Sequence, residues 1–246
     1  VWNDMTDYLE NGISEYDVYD RLQNAIPLFG AKLWGKGDKT LDQANSLRTT
    51  LGDAPGTNFG YEAAKDENGV IAHYNLDELN NHENVELASL DSHDALRLLG
   101  NKSYATTSFS TVGLNNDLRV KVKRESSSEE EQILFESSYG SIKAVQKETG
   151  KVGLSRENHD YSFNYELPVN QWVELEFKNR KEVIDLYVNG QLVDTLGDDE
   201  QVSGRPLKAT MMIPFERIGS KKHAFKGYVD DIRLGTQKTY ASTMEL

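Results

Sequence analysis

Carboxylates are the most frequent chemically capable groups in this sequence. They gather at Asp77-Glu78, at Asp91 with Asp94, at Asp198-Asp199-Glu200 and at Asp230-Asp231. Hard cations such as Ca²⁺ take oxygen ligands of this kind, but no EF-hand spacing is present, and acid clusters also arise as plain solvated surface. Asp77 and Asp230 are the candidate pair for a structural calcium, because they flank the first and last strands, which are expected to pair. The histidines (His73, His82, His93, His159 and His223) form neither H-E-x-x-H nor an i, i+4 pair, which speaks against a zinc enzyme. With no cysteine there are no disulfides, thiolate metal sites or cysteine nucleophiles. No G-x-S-x-G elbow, P-loop or G-x-G-x-x-G run occurs. A ring that stacks on the apolar face of a pyranose, helped by a few polar partners, is the remaining chemistry. Tyr104, Tyr139, His159, Tyr161 and Tyr165 are its candidates. Tyr161, Phe163 and Tyr165 also alternate, and so equally describe one face of a core strand.

The balance of the chain narrows the partners. Against 40 acidic residues stand 27 Lys and Arg, a net charge of -13 that repels nucleic acid and anionic membrane. Of the 246 residues 37% are hydrophobic, enough for a sizeable core, yet no apolar run approaches the roughly 18 residues of a membrane span. The opening Val1-Trp2-Asn3-Asp4 has neither a basic n-region nor an apolar h-region and no initiator Met, so the sequence reads as a piece of a longer chain.

Periodicity places these groups on elements. From Ser14 to Lys36, Val18, Leu22, Ala25, Ile26, Phe29 and Leu33 recur at three- and four-residue steps, which predicts an amphipathic helix that Pro27 interrupts near its middle. Thr40-Leu41-Asp42-Gln43 reads as a capping box opening a second helix that Gly52 ends. Beyond Asp53 the period becomes two. Leu118, Val120 and Val122 alternate with basic residues, Val173, Leu175 and Phe177 with charged ones, and Ile184, Leu186 and Val188 follow the same rule. Asn189-Gly190 then predicts a type I′ hairpin. Shorter strands are expected at 70–76, 95–99, 133–137, 141–146, 161–165, 209–215 and 228–234. Ten or more strands without intervening helices imply a two-sheet antiparallel β-sandwich. The acidic run Ser126 to Glu131 is expected as a solvated loop, and Lys221, Lys222 and Lys226 as surface charge.

Three ordered motifs carry a family likeness: Asn170-Gln171-Trp172-Val-Glu-Leu-Glu-Phe, Ile184-Asp-Leu-Tyr187-Val-Asn189-Gly190, and Phe225-Lys-Gly227-Tyr-Val-Asp230-Asp231-Ile. This pattern resembles the concanavalin A-like, laminin-G-type modules over about 60 to 240. Trp172 is expected to plug the core beside Leu175, and Gly227 to let the last strand pass close to its neighbour. Trp2-Asn3-Asp4, followed by a helix ending Ala31-Lys-Leu-Trp34-Gly35, is similar to the final βα unit of the family-20 glycoside hydrolases, the β-N-acetylhexosaminidases and lacto-N-biosidases. By that resemblance Trp2 and Asp4 match pocket residues of the terminal sugar, although aspartate stands where glutamate is usual.

The likenesses together imply a mainly β chain: the end of a (β/α) barrel with a helical connector over 1–56, then a concanavalin A-like sandwich over 57–246. The catalytic aspartate-glutamate pair of the family would lie on an earlier strand outside this sequence, so no catalytic residue and no cofactor other than the calcium is expected. The implied role is a carbohydrate-binding accessory domain of a glycan-degrading exo-glycosidase, with glycans and the catalytic barrel as partners and an extracellular or cell-surface bacterial location. A structural module that buttresses the barrel without binding sugar is the alternative. Catalysis within the sandwich would need two facing glutamates, and Glu174-Leu-Glu176 is the nearest approach.

Overall fold

A computed structural model describes residues 25–35, 40–51, 70–74, 80–90, 93–108, 116–156, 159–180, 183–197, 201–202, 205–206 and 213–236. The chain divides into two compact units, one holding the described helices and the other the described strands. In the first, α1 spans Ala25–Trp34 and α2 spans Leu41–Leu51. The capping box forms as expected: Gln43 N–H donates to Thr40 Oγ1 at 3.3 Å and Thr40 N–H donates to Gln43 Oε1 at 3.0 Å. Two otherwise orphaned helix-start donors are thereby satisfied. Pro27 lies in the first turn of α1, where its missing N–H costs nothing, and residues 14–24 of the longer helix expected there lie outside the described residues.

The second unit is a sandwich of two antiparallel sheets. Its chain order is β1 (Val70–Tyr74), β2 (Asn80–Glu83), β3 (Val85–Leu90), β4 (His93–Leu99), β5 (Ser103–Thr106), β6 (Asn116–Arg124), β7 (Gln132–Ser137), β8 (Gly140–Val145) and β9 (Gly153–Arg156). Then follow β10 (His159–Ser162), β11 (Trp172–Asn179), β12 (Ile184–Val188), β13 (Gln191–Leu196), the short pair β14 (Gln201–Val202) and β15 (Arg205–Pro206), β16 (Arg217–Ser220) and β17 (Lys226–Thr236). The eight-stranded sheet runs β13-β12-β11-β6-β17-β4-β3, with β1 also on β17; the seven-stranded sheet runs β10-β9-β8-β7-β16-β5-β2. The first and last strands pair as expected, Tyr74 opposite Ile232.

The period-two pattern decides which residues meet between the sheets. Leu118, Val120 and Val122 of β6, and Leu175 and Phe177 of β11, are shut off from solvent together with Leu134 and Phe135 of β7. Phe135 packs on Phe215 with centroids 5.5 Å apart, and Phe163 on Phe177 at 5.9 Å. Each such side chain contributes about 1.5–3 kcal/mol on burial. The Asn189-Gly190 turn has φ of 48° and 78°, the double positive φ of a type I′ hairpin. Gly227 has φ of 154°, and a Cβ there would collide with the Lys123 carbonyl, so the close passage expected of it is present.

One expectation needs correction. Trp172 does not plug the core: Val173, Leu175 and Phe177 take the inward positions of β11, so alternation turns Trp172 outward, where its ring lies 6.2 Å from that of Tyr228. Of the strand expected over 209–215, residues 209–212 lie outside the described residues, and β16 at Arg217–Ser220 is a strand the sequence did not suggest.

Candidate functional site

Outward-facing residues of the seven-stranded sheet line a cleft of about 410 Å³. Alternation builds it. On β8 Ile142 and Ala144 face the core, which sends Ser141 and Lys143 outward; on β16 Ile218 faces the core, which sends Arg217 outward. The cleft continues across Glu136 of β7 and Ser155 of β9 and is bordered by Lys221, Lys222 and His223 in the turn after β16.

Its floor holds two pinned cations. The Lys143 amine, with a side chain 7% exposed, donates to Glu131 Oε2 at 2.6 Å and to Asp160 Oδ1 and Oδ2 at 2.9 and 3.0 Å. Arg217 donates from Nε to Glu136 Oε1 at 2.6 Å and also pairs with Glu216. Burial lowers the guanidinium pKa of Arg217, but the hydrogen bonds and charges of Glu136 and Glu216 outweigh it and hold the pKa above its ordinary value. Glu136 Oε1 also accepts the Lys221 backbone N–H at 3.2 Å. Carboxylates held in this way keep lone pairs for further donors. The cleft therefore presents fixed acceptors beside serine hydroxyls, with little side-chain entropy left to lose when a polyhydroxylated ligand binds.

The structure brings the predicted aromatic candidates onto this sheet but not to one point. Tyr104 lies on β5 opposite Gly219, half-buried, with the Lys221 amine 5.5 Å from its ring centroid. Tyr139, also half-buried, sits in the β7–β8 turn between the cleft residues Ser138 and Gly140. His159 is half-buried on the edge strand β10, opposite Arg156. Tyr161 is 3% exposed and belongs to the core, the other outcome its alternation with Phe163 and Tyr165 allowed. Of the acids, Asp230 sits in β17, where its Oδ1 accepts the Asp231 N–H at 2.7 Å. Asp77, Trp2 and Asp4 lie outside the described residues. Among the described residues no three His, Asp or Glu side chains come together as a metal site.

Sequence reasoning missed Lys143, Arg217, Glu136, Glu131 and Asp160. Glu131 was counted with the solvated acidic run, which is otherwise correct, since Ser127 to Glu130 are exposed. The outward step of Lys143 was readable from Ser141-Ile-Lys143-Ala, but its carboxylate partners stand 12 and 17 residues away and no local pattern announces them. Glu174 and Glu176 do share the outer face of the other sheet, where Glu176 is taken up by Arg119 at 2.8 Å and Lys178 at 3.5 Å.

No curated protein sequence matches the chain significantly. Among solved structures, domain 4 of AbnA, a GH43 extracellular arabinanase from Geobacillus stearothermophilus in complex with arabinotriose, is similar at 18% identity and a TM-score of 0.47, over 64% of this chain and 77% of that one. Galectin LEC-6 of Caenorhabditis elegans is similar at 13% identity and a TM-score of 0.32, over 54% of this chain and 95% of that one. Residues 99–238, more than half of the chain, match the laminin G family described as the concanavalin A-like lectin/glucanases superfamily, and with the two-sheet topology above this shows that the chain belongs to that superfamily.

Proposed function

We propose that the chain is a non-catalytic carbohydrate-binding module and that the cleft on the outer face of its seven-stranded sheet is the binding site. The observation that carries this reading is the pair of pinned cations: Lys143 between Glu131 and Asp160, and Arg217 between Glu136 and Glu216, which fix a row of acceptors for sugar hydroxyls. Tyr104 and Tyr139 flank the cleft and supply ring faces for the apolar side of a pyranose; His159 is the outer member of the set. Membership of a superfamily named for lectins and glucanases supports sugar as the ligand. A glycan-array screen of the chain, with and without calcium, tests it. Binding to galactose- or N-acetylhexosamine-terminated chains is the expected result, calcium dependence would implicate Asp230 and Asp77, and silence in both conditions overturns it.

The finer reading is an accessory part of an exo-β-N-acetylhexosaminidase or lacto-N-biosidase at the bacterial cell surface or outside it, with Trp2 and Asp4 in the pocket of a preceding barrel. The likeness of Trp2-Asn3-Asp4 to that family's last barrel strand supports it. A parent chain whose preceding domain does not release terminal N-acetylhexosamine or lacto-N-biose would refute it. One observation favours a second role as a buttress: α1 exposes Ile26, Phe29, Leu33 and Trp34. That reading predicts a lower melting temperature of the parent when residues 60 to 246 are deleted, and an unchanged one sinks it.

A further inference from the structure

The outer face of the eight-stranded sheet carries a row of side chains that the cleft does not use. Register sets Trp172 opposite Lys123, Lys123 opposite Tyr228, Tyr228 opposite Arg97, and Arg97 opposite Glu86, one line across β11, β6, β17, β4 and β3. The rings of Trp172 and Tyr228 are 6.2 Å apart and inclined by 50°. The Arg97 guanidinium lies 5.5 Å from the Tyr228 centroid and the Lys123 amine 6.0 Å from it. Arg97 is held in place by Glu125 and Glu86, each at 3.2 Å.

Charge distinguishes Lys123 from its neighbours on the same strand. Arg119 is paired with Glu176 at 2.8 Å and Lys121 with Asp231 at 3.2 Å. Lys123 is half-exposed and, among the described residues, reaches no carboxylate; its recorded partner is the Tyr228 ring. In a chain with 40 acidic residues against 27 basic ones, a cation with no carboxylate partner among the described residues, beside the Tyr228 ring and opposite Trp172 in register, is out of keeping with its surroundings. Two half-exposed rings and one uncompensated ammonium match a pyranose that bears a carboxylate: the rings take its C–H face and the amine takes its charge.

We propose that the Trp172-Lys123-Tyr228-Arg97 row is a second saccharide site, on the opposite sheet from the cleft, and that it selects uronic-acid sugars. The site stands apart from the cleft and does not depend on it. Its test is titration of the whole chain, by calorimetry and by the Trp172 indole N–H signal, with oligogalacturonate, oligomannuronate and hyaluronan oligosaccharides, and with neutral galactan oligosaccharides as the control. At least one uronate is expected to bind, to shift the Trp172 indole, and to weaken as salt is raised. Trp172→Ala is expected to abolish that binding. Lys123→Gln, a surface change that leaves the fold intact, is expected to weaken it at least tenfold while leaving any neutral binding unchanged. Ser141→Trp, which fills the cleft on the other sheet, is expected to leave it unaltered. Failure of every uronate to bind, indifference to Lys123→Gln, or loss of uronate binding in Ser141→Trp overturns the proposal. The last result would move the acidic ligand to the cleft, and the first would leave the cleft reading untouched.

Discussion

Gly227→Ala tests how the last strand is seated between β4 and β6. Gly227 has φ of 154°, where L side chains are rarely found, and a Cβ there would overlap the Lys123 carbonyl oxygen and lie 2.8 and 3.0 Å from ring atoms of Phe225. Neither neighbour can yield easily. Lys123 belongs to β6, paired on both sides, and Phe225 has no exposed surface. Backbone strain of this kind costs about 1–3 kcal/mol, and overpacking a filled site costs about 1–3 kcal/mol more. At about 2–4 °C per kcal/mol for a domain of this size, the melting temperature should fall by roughly 10 °C. Gly190→Ala is the control: it too has positive φ, 78°, but nothing lies within 4 Å of its Cβ, so it should cost only about 1–2 kcal/mol. Thermal melts followed by circular dichroism, with urea midpoints beside them, read both variants. A Gly227→Ala protein that melts within about 2 °C of the parent, or no lower than Gly190→Ala, would refute the steric argument.

Other consequences can be measured on the same footing. Asn179 is fully buried at the end of β11 and, among the described residues, neither of its side-chain polar atoms has a hydrogen-bond partner, so Asn179→Leu should stabilise the sandwich by about 1 kcal/mol, and a loss of stability in urea would show that the site needs its amide. Burial raises the pKa of Asp231, but hydrogen bonds from Arg233 at 3.0 Å and from Lys121 outweigh it and hold the pKa below its ordinary value. With the folded value depressed, the carboxylate's contribution is complete above the unfolded pKa and disappears as pH falls through the folded one. Asp231→Asn should therefore cost about 1 kcal/mol at neutral pH and progressively less as pH falls below the ordinary aspartate range; a difference in acid denaturation curves that does not shrink with falling pH would contradict this. Lys143→Met strips the cation from Glu131 and Asp160 and should cost about 2 kcal/mol, less in a Glu131→Gln background; equal costs in both backgrounds would deny the coupling.

How far the sequence announced this architecture follows from the range of each signal. Local signals were fully legible: Thr40 to Gln43 as a capping box, Asn189-Gly190 as a primed turn, and the β6, β11 and β12 alternations all rest on neighbours within a few residues. Strands lacking a clear alternating run, such as Arg217-Ile-Gly-Ser220, exist because β5 and β7 offer edges to pair with, which no local pattern records. Trp172 was misplaced because its size suggested a core plug, whereas the period fixed by Val173 and Leu175 had already assigned it to the outer face. The cleft was the least legible part. Glu136 and Arg217 meet across 81 residues of sequence, and only the sheet order brings them together.

The central claim is that the outer face of the seven-stranded sheet binds sugar in the cleft around Ser141, and one titration tests it most directly. A glycan selected on the array is titrated against the chain and against Ser141→Trp, which blocks the cleft without removing any of its ion pairs. The account predicts saturable binding by the parent, with backbone amide shifts on β7, β8 and β16, and loss of that binding in a Ser141→Trp protein of unchanged melting temperature. Undiminished binding by Ser141→Trp, or shifts confined to other strands, would contradict it.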